Sequence, residues 1–418
     1  MSNEHQHIPA GYKLSPLGPI PEDWEVKRLG EIAEIGSGGT PSKSHSEYWN
    51  GNIPWVTTSL LNNPYIEIAE EYITEEGLNN SSAKMLNKGV LLMAMYGQGQ
   101  TRGKVSKLLI SASTNQACAY IDVHTGLVDY IHQNLIANYE SIRNESNDGN
   151  QKNLSLGIIS NIRISFPPFP EQHRIVSVLS LWDTAISKQT QLVEKLTLRK
   201  RGLMQQLLTG RKRLKGFCGE WKLIKLGNMA ERITRKNEED NKNVVTISAQ
   251  RGFVVQTDFF NKSVASEILD NYYLVHKDEF CYNKSYSNGY PMGAIKRLKS
   301  FDKAVVTTLY ICFRLKEKPK TNIDFFEQYS ESGLLNKELV KVANEGGRAH
   351  GLLNVTPDDF FNMHMNVPFI EEQTAIASVL VNADKEIELA NKKLTRLQEE
   401  KKGLMQVLLT GKKRIVKT

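Results

Sequence analysis

Cysteine is scarce in this chain: Cys118, Cys218, Cys281 and Cys312 are scattered through 418 residues with no CxxC pair. That spacing argues against a disulfide framework and against a zinc site, and points to reduced packing residues. Long hydrophobic runs are missing as well. Nothing approaches the roughly 18 consecutive apolar residues that a membrane span needs, and the opening MSNEHQHIPAGYKL has no apolar secretory core. The expectation is a soluble, cytoplasmic chain of two or three domains with no membrane contact. Neither sign of charge dominates. With 53 Lys and Arg against 46 Asp and Glu, the net charge of +7 leans only modestly toward a polyanionic partner.

Self-contained catalytic constellations are missing too. GQGQTRGKV at Gly97 resembles a phosphate loop, but five residues separate Gly97 from Gly103 where the motif has four, and Val105 stands at the magnesium-binding Ser/Thr position. NNPY at Asn62 has Asn63 where an amino-methyltransferase signature has proline, and no Gly-rich cofactor loop precedes it. TPDDF at Thr356 carries the Pro-Asp of some nucleases, but the next Glu-x-Lys, Glu399 to Lys401, falls in a helical repeat. The histidines lack metal-ligand spacing, so no metal site is expected.

What the sequence has is a repeat. GLMQQLLTGRKRL from Gly202 returns as GLMQVLLTGKKRI from Gly403, and PPFPEQHRIVSVLSLWDTAI from Pro167 lies over PFIEEQTAIASVLVNADKEI from Pro368, both at an offset of 201. Upstream, DWEVKRLGEIAEI at Asp23 resembles EWKLIKLGNMAERI at Glu220. Each unit therefore runs Trp-x4-Leu-Gly, a variable body, a proline hinge and a long helix.

In the first helical segment Ile175, Leu179, Trp182, Ile186, Gln189, Val193, Leu196, Lys200, Leu203 and Leu207 recur at steps of four and three, the spacing of a coiled-coil seam. The second repeats it with Ile376, Leu380, Ala383, Ile387, Ala390, Leu394, Leu397, Lys401, Leu404 and Leu408. Pro167, Pro168, Pro170 and Pro368 mark helix starts, and Gly210 and Gly411 mark stops. The basic clusters at 211–213 and 412–414 either complement the negative helix ends or also touch phosphate. Lys200 and Lys401 either snorkel outward or fix register. Two equal seams invite antiparallel pairing. Each helix of about 35 residues would span about 50 Å, a ruler somewhat longer than the roughly 34–36 Å turn of B-DNA.

The bodies between these frames differ in sequence. In the first, strand-like runs alternate with Gly, Ser, Thr, Asn and Gln loops bearing Lys and Arg, which suggests a twisted mixed sheet with polar loops. In the second body Tyr282, Tyr286 and Tyr290 stand among basic residues, a pattern that suits DNA and equally suits strand cores.

The ordered set PEDWEVKRLGEIAEI, GGTPSKSHSEYWNGNIPWVT, TNQACAYI, PPFPEQHRIVSVLSLWDTAI and GLMQQLLTG, followed by a second body and the same helix, resembles the type I restriction-modification DNA specificity subunits over essentially the whole chain. The resemblance implies an α+β architecture. Two tandem mixed α/β target recognition domains (1–166 and 213–366) would be separated by conserved helices (167–212 and 367–418) that form an antiparallel coiled coil with pseudo-two-fold symmetry. It implies a non-catalytic chain that reads a bipartite DNA site and scaffolds two methyltransferase and two restriction subunits in host defence. S-adenosylmethionine, ATP and Mg²⁺ would belong to those partners. Unlike bodies imply unlike half-sites. Chosen for their chemistry, the candidate contacts with double-stranded DNA are Ser42, Lys43, Ser44, Gln98, Gln100, Thr101, Arg102 and Lys104 in the first body. In the second they are Lys284, Tyr286, Ser287, Asn288, Arg297, Arg348 and His350. Two other classes make different predictions. A coiled-coil scaffold would bind DNA in a salt-sensitive way without sequence preference, and a self-contained DNA-modifying enzyme would bind cofactor alone.

Overall fold

The computed structural model describes residues 8–97, 100–145, 153–256, 269–318, 320–343 and 353–415. Two long helices carry the repeat, Phe169–Leu207 and Ile370–Leu408, 39 residues each. They start beside the expected prolines. Both stop where Gly210 (φ 70°) and Gly411 (φ 73°) take the left-handed conformation. There the amide of Lys212 returns to the carbonyl of Gln206 and that of Lys413 to Val407. Every seam residue named above is buried or half-buried, while most positions between them are exposed.

The chain packs as two compact units whose limits cut through the helices: Met1–Gln189 with Lys393–Thr418, and Thr190–Lys392. Each unit thus owns one body and one half of each helix. Within the first unit Arg174 Nε donates to the carbonyl of Ile415 (2.6 Å) and Lys401 pairs with Asp183 (2.6 Å). Within the second, Arg213 pairs with Glu372 (2.5 Å) and Lys200 with Asp384 (2.6 Å). Numbers rise on one helix as they fall on the other, so in each unit the helices run antiparallel.

The first body centres on a mixed five-stranded sheet in the order Ala33–Ser37, Cys118–Val123, Leu91–Ala94, Val105–Leu108, Tyr65–Ile66. The last pairing is parallel and the others are antiparallel. In the second body the order is Ala230–Ile233, Ile311–Leu315, Phe280–Asn283, Ala294–Arg297, antiparallel throughout. The first four strands correspond one for one. The unlike interior sequences therefore build one common sheet order, and the mixed sheet expected of the first body is present there. What differs is what is added. The first body carries the three-stranded sheet Ser113–Thr114, Trp49–Val56, Glu71–Ile73, and the second carries the hairpin Val245–Ser248/Gly252–Val255 and the pair Tyr273–His276/Lys303–Val306.

Each body is tied to its helices by a short antiparallel pair, Glu25–Arg28 with Arg163–Phe166 and Lys222–Lys225 with His364–Val367. Apolar clusters continue the attachment. Ile175, Leu179, Met405, Leu408 and Leu409 join Leu91, Met93, Ile121 and Ile131 in the first unit, and Leu207, Leu208, Ile376 and Leu380 join Phe280, Phe313 and Phe326 in the second. Removing such contiguous apolar surface from water is the main stabilising term.

The third residue of each basic cluster closes a latch. Arg414 binds Glu171 (2.9 and 2.7 Å) and Asp23 (2.8 and 2.7 Å) beside Trp24, whose indole also donates to Glu171 (3.0 Å). The Arg414 hydrogen bonds hold the Asp23 carboxyl below the usual carboxylate range. Arg213 grips Glu372 through two bonds, 2.5 and 2.6 Å, and stacks near Trp221. Arg213 and Arg414 are therefore consumed by carboxylates that sit one turn into the other helix, where the dipole favours negative charge. Arg211, Lys212, Lys412 and Lys413 remain exposed.

Candidate nucleic-acid interface

Strand register decides which loops come together. In the first body Ser37 lies opposite Ala119, Ala94 opposite Cys118, and Met93 opposite Val105. The segments after Ser37, between Ala94 and Val105, and before Cys118 therefore all leave one end of the sheet. Ser42, Lys43, Ser44, Gln100, Thr101, Arg102 and Lys104 fall on those segments. Ser42, Lys43, Ser44 and Gln100 are exposed, and the rest are half-buried. The Ser42 and Ser44 hydroxyls are 2.7 Å apart, and the Lys43 ammonium stands 5.5 Å over the Trp49 ring. Arg102 Nη2 donates to the carbonyl of Arg143 (3.2 Å), and Lys104 Nζ to Asn62 Oδ1 (2.7 Å). Both cations are anchored within the body and carry their charge at its loop end. Gln98 lies outside the described residues.

The second body repeats the geometry. Ile233 lies opposite Cys312, Tyr282 opposite Ile311, and Asn283 opposite Ala294. The segment 284–293, which holds Lys284, Tyr286, Ser287 and Asn288, is thus the counterpart of the segment 95–104. Ser287 and Tyr290 close a tight turn through two backbone bonds, 3.3 and 2.8 Å, around Gly289 at φ 80°. Tyr286 is left 66% exposed, an aromatic face held out on a short loop. Arg348 and His350 lie outside the described residues.

Arg297 is a correction. It ends a strand at the opposite edge, paired with Phe280. There it bonds Asp278, Asp324 and Glu327 (2.5, 2.7 and 3.4 Å), which commits its guanidinium to joining strand and helix. Tyr282 is fully buried and Tyr290 binds Glu331, which leaves Tyr286 as the one exposed member of that trio.

Sequence reasoning missed two stretches. Asn115 and Gln116 turn between the two chosen segments of the first body, and the Thr40 hydroxyl reaches Gln116 Oε1. Gln250 and Arg251 tip the hairpin beside the second loop, where Gln250 Nε2 donates to the Asn288 carbonyl (3.0 Å). An amide pair before CAYI, and Gln-Arg-Gly between two β-branched runs, were the available signals. Amides and guanidinium groups bond base edges in the major groove, while lysines meet phosphate.

Among the described residues, no group of three His, Cys, Asp or Glu could hold a metal ion, and no helix is long and apolar enough to cross a membrane.

Each body thus carries polar loops at the matching end of its sheet and is seated on halves of the two repeated helices. Residues 21–197 match the family model described as the type I restriction modification DNA specificity domain. The specificity subunit of the type I restriction enzyme MjaIX of Methanocaldococcus jannaschii is 31% identical over 200 residues, covering 45% of each chain. The MjaVIII specificity subunit of the same organism is 23% identical over 427 residues, covering 95% of this chain and 94% of that one. The chain thus spans under half of the first relative and nearly all of the second. A solved type I restriction-modification S subunit from M. genitalium shares the fold, with a TM-score of 0.55, 15% identity, and coverage of 92% and 96%. The chain is thus similar to type I restriction-modification specificity subunits over nearly its whole length, and its first half carries the match to their specificity domain.

Proposed function

We propose that this chain gives a type I restriction-modification complex its DNA sequence specificity, with each body reading one half of a bipartite, asymmetric site. The observation that carries this reading is the recurrence of one sheet with a polar, loop-bearing end on a repeated helical frame, while the loop residues themselves do not recur. Thr101, Arg102 and Lys104 on one side face a different chemistry from Lys284, Tyr286, Ser287 and Asn288 on the other. Unlike donors select unlike bases.

In this reading the chain is non-catalytic, and two methyltransferase and two restriction subunits join it. S-adenosylmethionine, ATP and Mg²⁺ belong to those partners and act in the cytoplasm. Co-expression with a methylating subunit, followed by genome-wide mapping of methylated adenines, tests the reading. A bipartite motif is expected, with variants at Thr101 or Lys104 altering one half and variants at Lys284 or Tyr286 the other. The absence of any motif would overturn it.

A further inference from the structure

The seam of each long helix is nearly all apolar, and apolar contact is non-directional. A repeat of seven that recurs on both helices therefore favours parallel, antiparallel and slipped pairings alike. Two charged positions break this degeneracy. Asp183 and Asp384 occupy one place in the repeat, and Lys200 and Lys401 another.

In the first unit Lys401 Nζ meets Asp183 Oδ1 at 2.6 Å, and Gln133 Nε2, from the body helix Val128–Ala137, donates to Asp183 Oδ2 at 2.7 Å. In the second unit Lys200 Nζ meets Asp384 Oδ1 at 2.6 Å, and Gln328 Nε2, from the body helix Ile323–Glu331, donates to Asp384 Oδ2 at 2.6 Å. Both lysine side chains are withdrawn from solvent, Lys401 to 11% and Lys200 to 17% exposure. Each aspartate spends one oxygen on the partner helix and the other on its own body.

Paired in parallel and in register, the same helices would set the seam lysines Lys200 and Lys401 against each other and part each aspartate from its lysine. Like charges would meet with water excluded. A seven-residue slip would keep each aspartate's glutamine, which comes from its own body, but would put Leu394 or Leu408 in the place of Lys401 and Val193 or Leu207 in the place of Lys200.

We propose that the two Gln–Asp–Lys triads are the orientation and register key of the helical pair, selecting the antiparallel arrangement that the apolar seam alone leaves open. The triads act as positioning groups. They seat each body helix on the pair and thereby aim the loops that the body carries. This rests on the DNA-reading assignment only in its methylation readout.

The test uses the full chain with a methylating subunit. Lys401→Asp, which faces Asp183 with a second carboxylate, is expected to cut site methylation by about tenfold or more. Adding Asp183→Lys should bring it back to within about threefold of the starting chain, because the Gln133 amide can turn over and offer its oxygen to the new lysine. Normal methylation by Lys401→Asp alone overturns the key, as does a folded double variant without rescue. A second arm replaces both pairs with apolar residues, Asp183→Leu, Lys401→Met, Asp384→Leu and Lys200→Met. It is expected to keep or raise Tm yet elute as a mixture of species, whereas one unchanged species with the unchanged motif overturns the proposal. If the starting chain itself yields no motif, the DNA-reading assignment fails while the elution arm still decides the key.

Discussion

The two bodies share a strand order and a set of attachments, yet their interiors are built differently. In the first unit the core around Leu91, Met93, Ile121 and Ile131 is mainly aliphatic. In the second, Phe280 stacks on Phe313 (5.5 Å between centroids), and Phe326 and Phe360 pack against them at 5.0 to 5.8 Å. Rings and branched chains fill the same space because volume and patterning decide a fold before exact identity does. By contrast, the polar attachments recur atom for atom. Gln172 and Gln373 each donate to a proline carbonyl at 2.9 Å, and each accepts a body amide, from Leu127 at 2.8 Å or Asn322 at 3.0 Å. Directional groups tolerate less change than apolar ones, since an unmet buried donor or acceptor costs about 1–3 kcal/mol.

If the two units are energetic equals, lesions at matching seam positions should act alike. Leu196→Asp in the second unit and Leu397→Asp in the first each bury an unpaired charge. Each should cost about 3–5 kcal/mol and abolish assembly with a methylating subunit. Co-purification and urea unfolding check both, and normal assembly by either would separate the units.

Acid should distinguish them. Burial pushes His132 down to about 4, and its counterpart in the second body is Glu327. Below the usual 6.5 the unfolded chain takes up a proton that the folded first unit refuses. The first unit should therefore lose stability as pH falls from about 6.5 to about 4, by about 3 kcal/mol in total. Hydrogen exchange resolved by peptide at pH 7 and pH 5 reads this loss, and His132→Leu should flatten it without touching the second unit.

Loop variants should be local. Arg102→Ala or Tyr286→Ala is expected to relax one position of one half-site by about 1–3 kcal/mol and to leave the other half intact, as methylation mapping would show. Arg297→Ala should lower stability without altering the motif.

The smallest effect is a difference between latches. Asp23 stands by Arg414 when Glu171 is neutralised, whereas no ion pair among the described residues joins Glu220 to Arg213. Glu372→Gln should lower the urea midpoint of its unit more than Glu171→Gln lowers that of the first. Equal shifts would show that the extra carboxylate contributes nothing.

Much of this was legible before any coordinates. The step of four and three from Ile175 to Leu207 marked the buried face, and the prolines and glycines marked the helix ends. The segments at 42–44, 100–104 and 284–288 were chosen by composition and proved to leave matching sheet ends. Arg297 was misread because its chemistry suits DNA as well as it suits three carboxylates, and only strand register separates the two. Asn115, Gln116, Gln250 and Arg251 were passed over because a short amide or guanidinium turn carries no periodic signal.

The sequence by itself determined what recurs at close range: helix faces, helix ends and the repeat, all encoded in spacings along the chain. Only the tertiary structure decided that Lys200 and Lys401 pair with Asp384 and Asp183, that Arg213 and Arg414 are latches, and that unlike interiors form one sheet. These facts join residues up to 391 positions apart. Such partners are chosen by the geometry of the packed core, and no local pattern records which of many possible carboxylates a cation will meet.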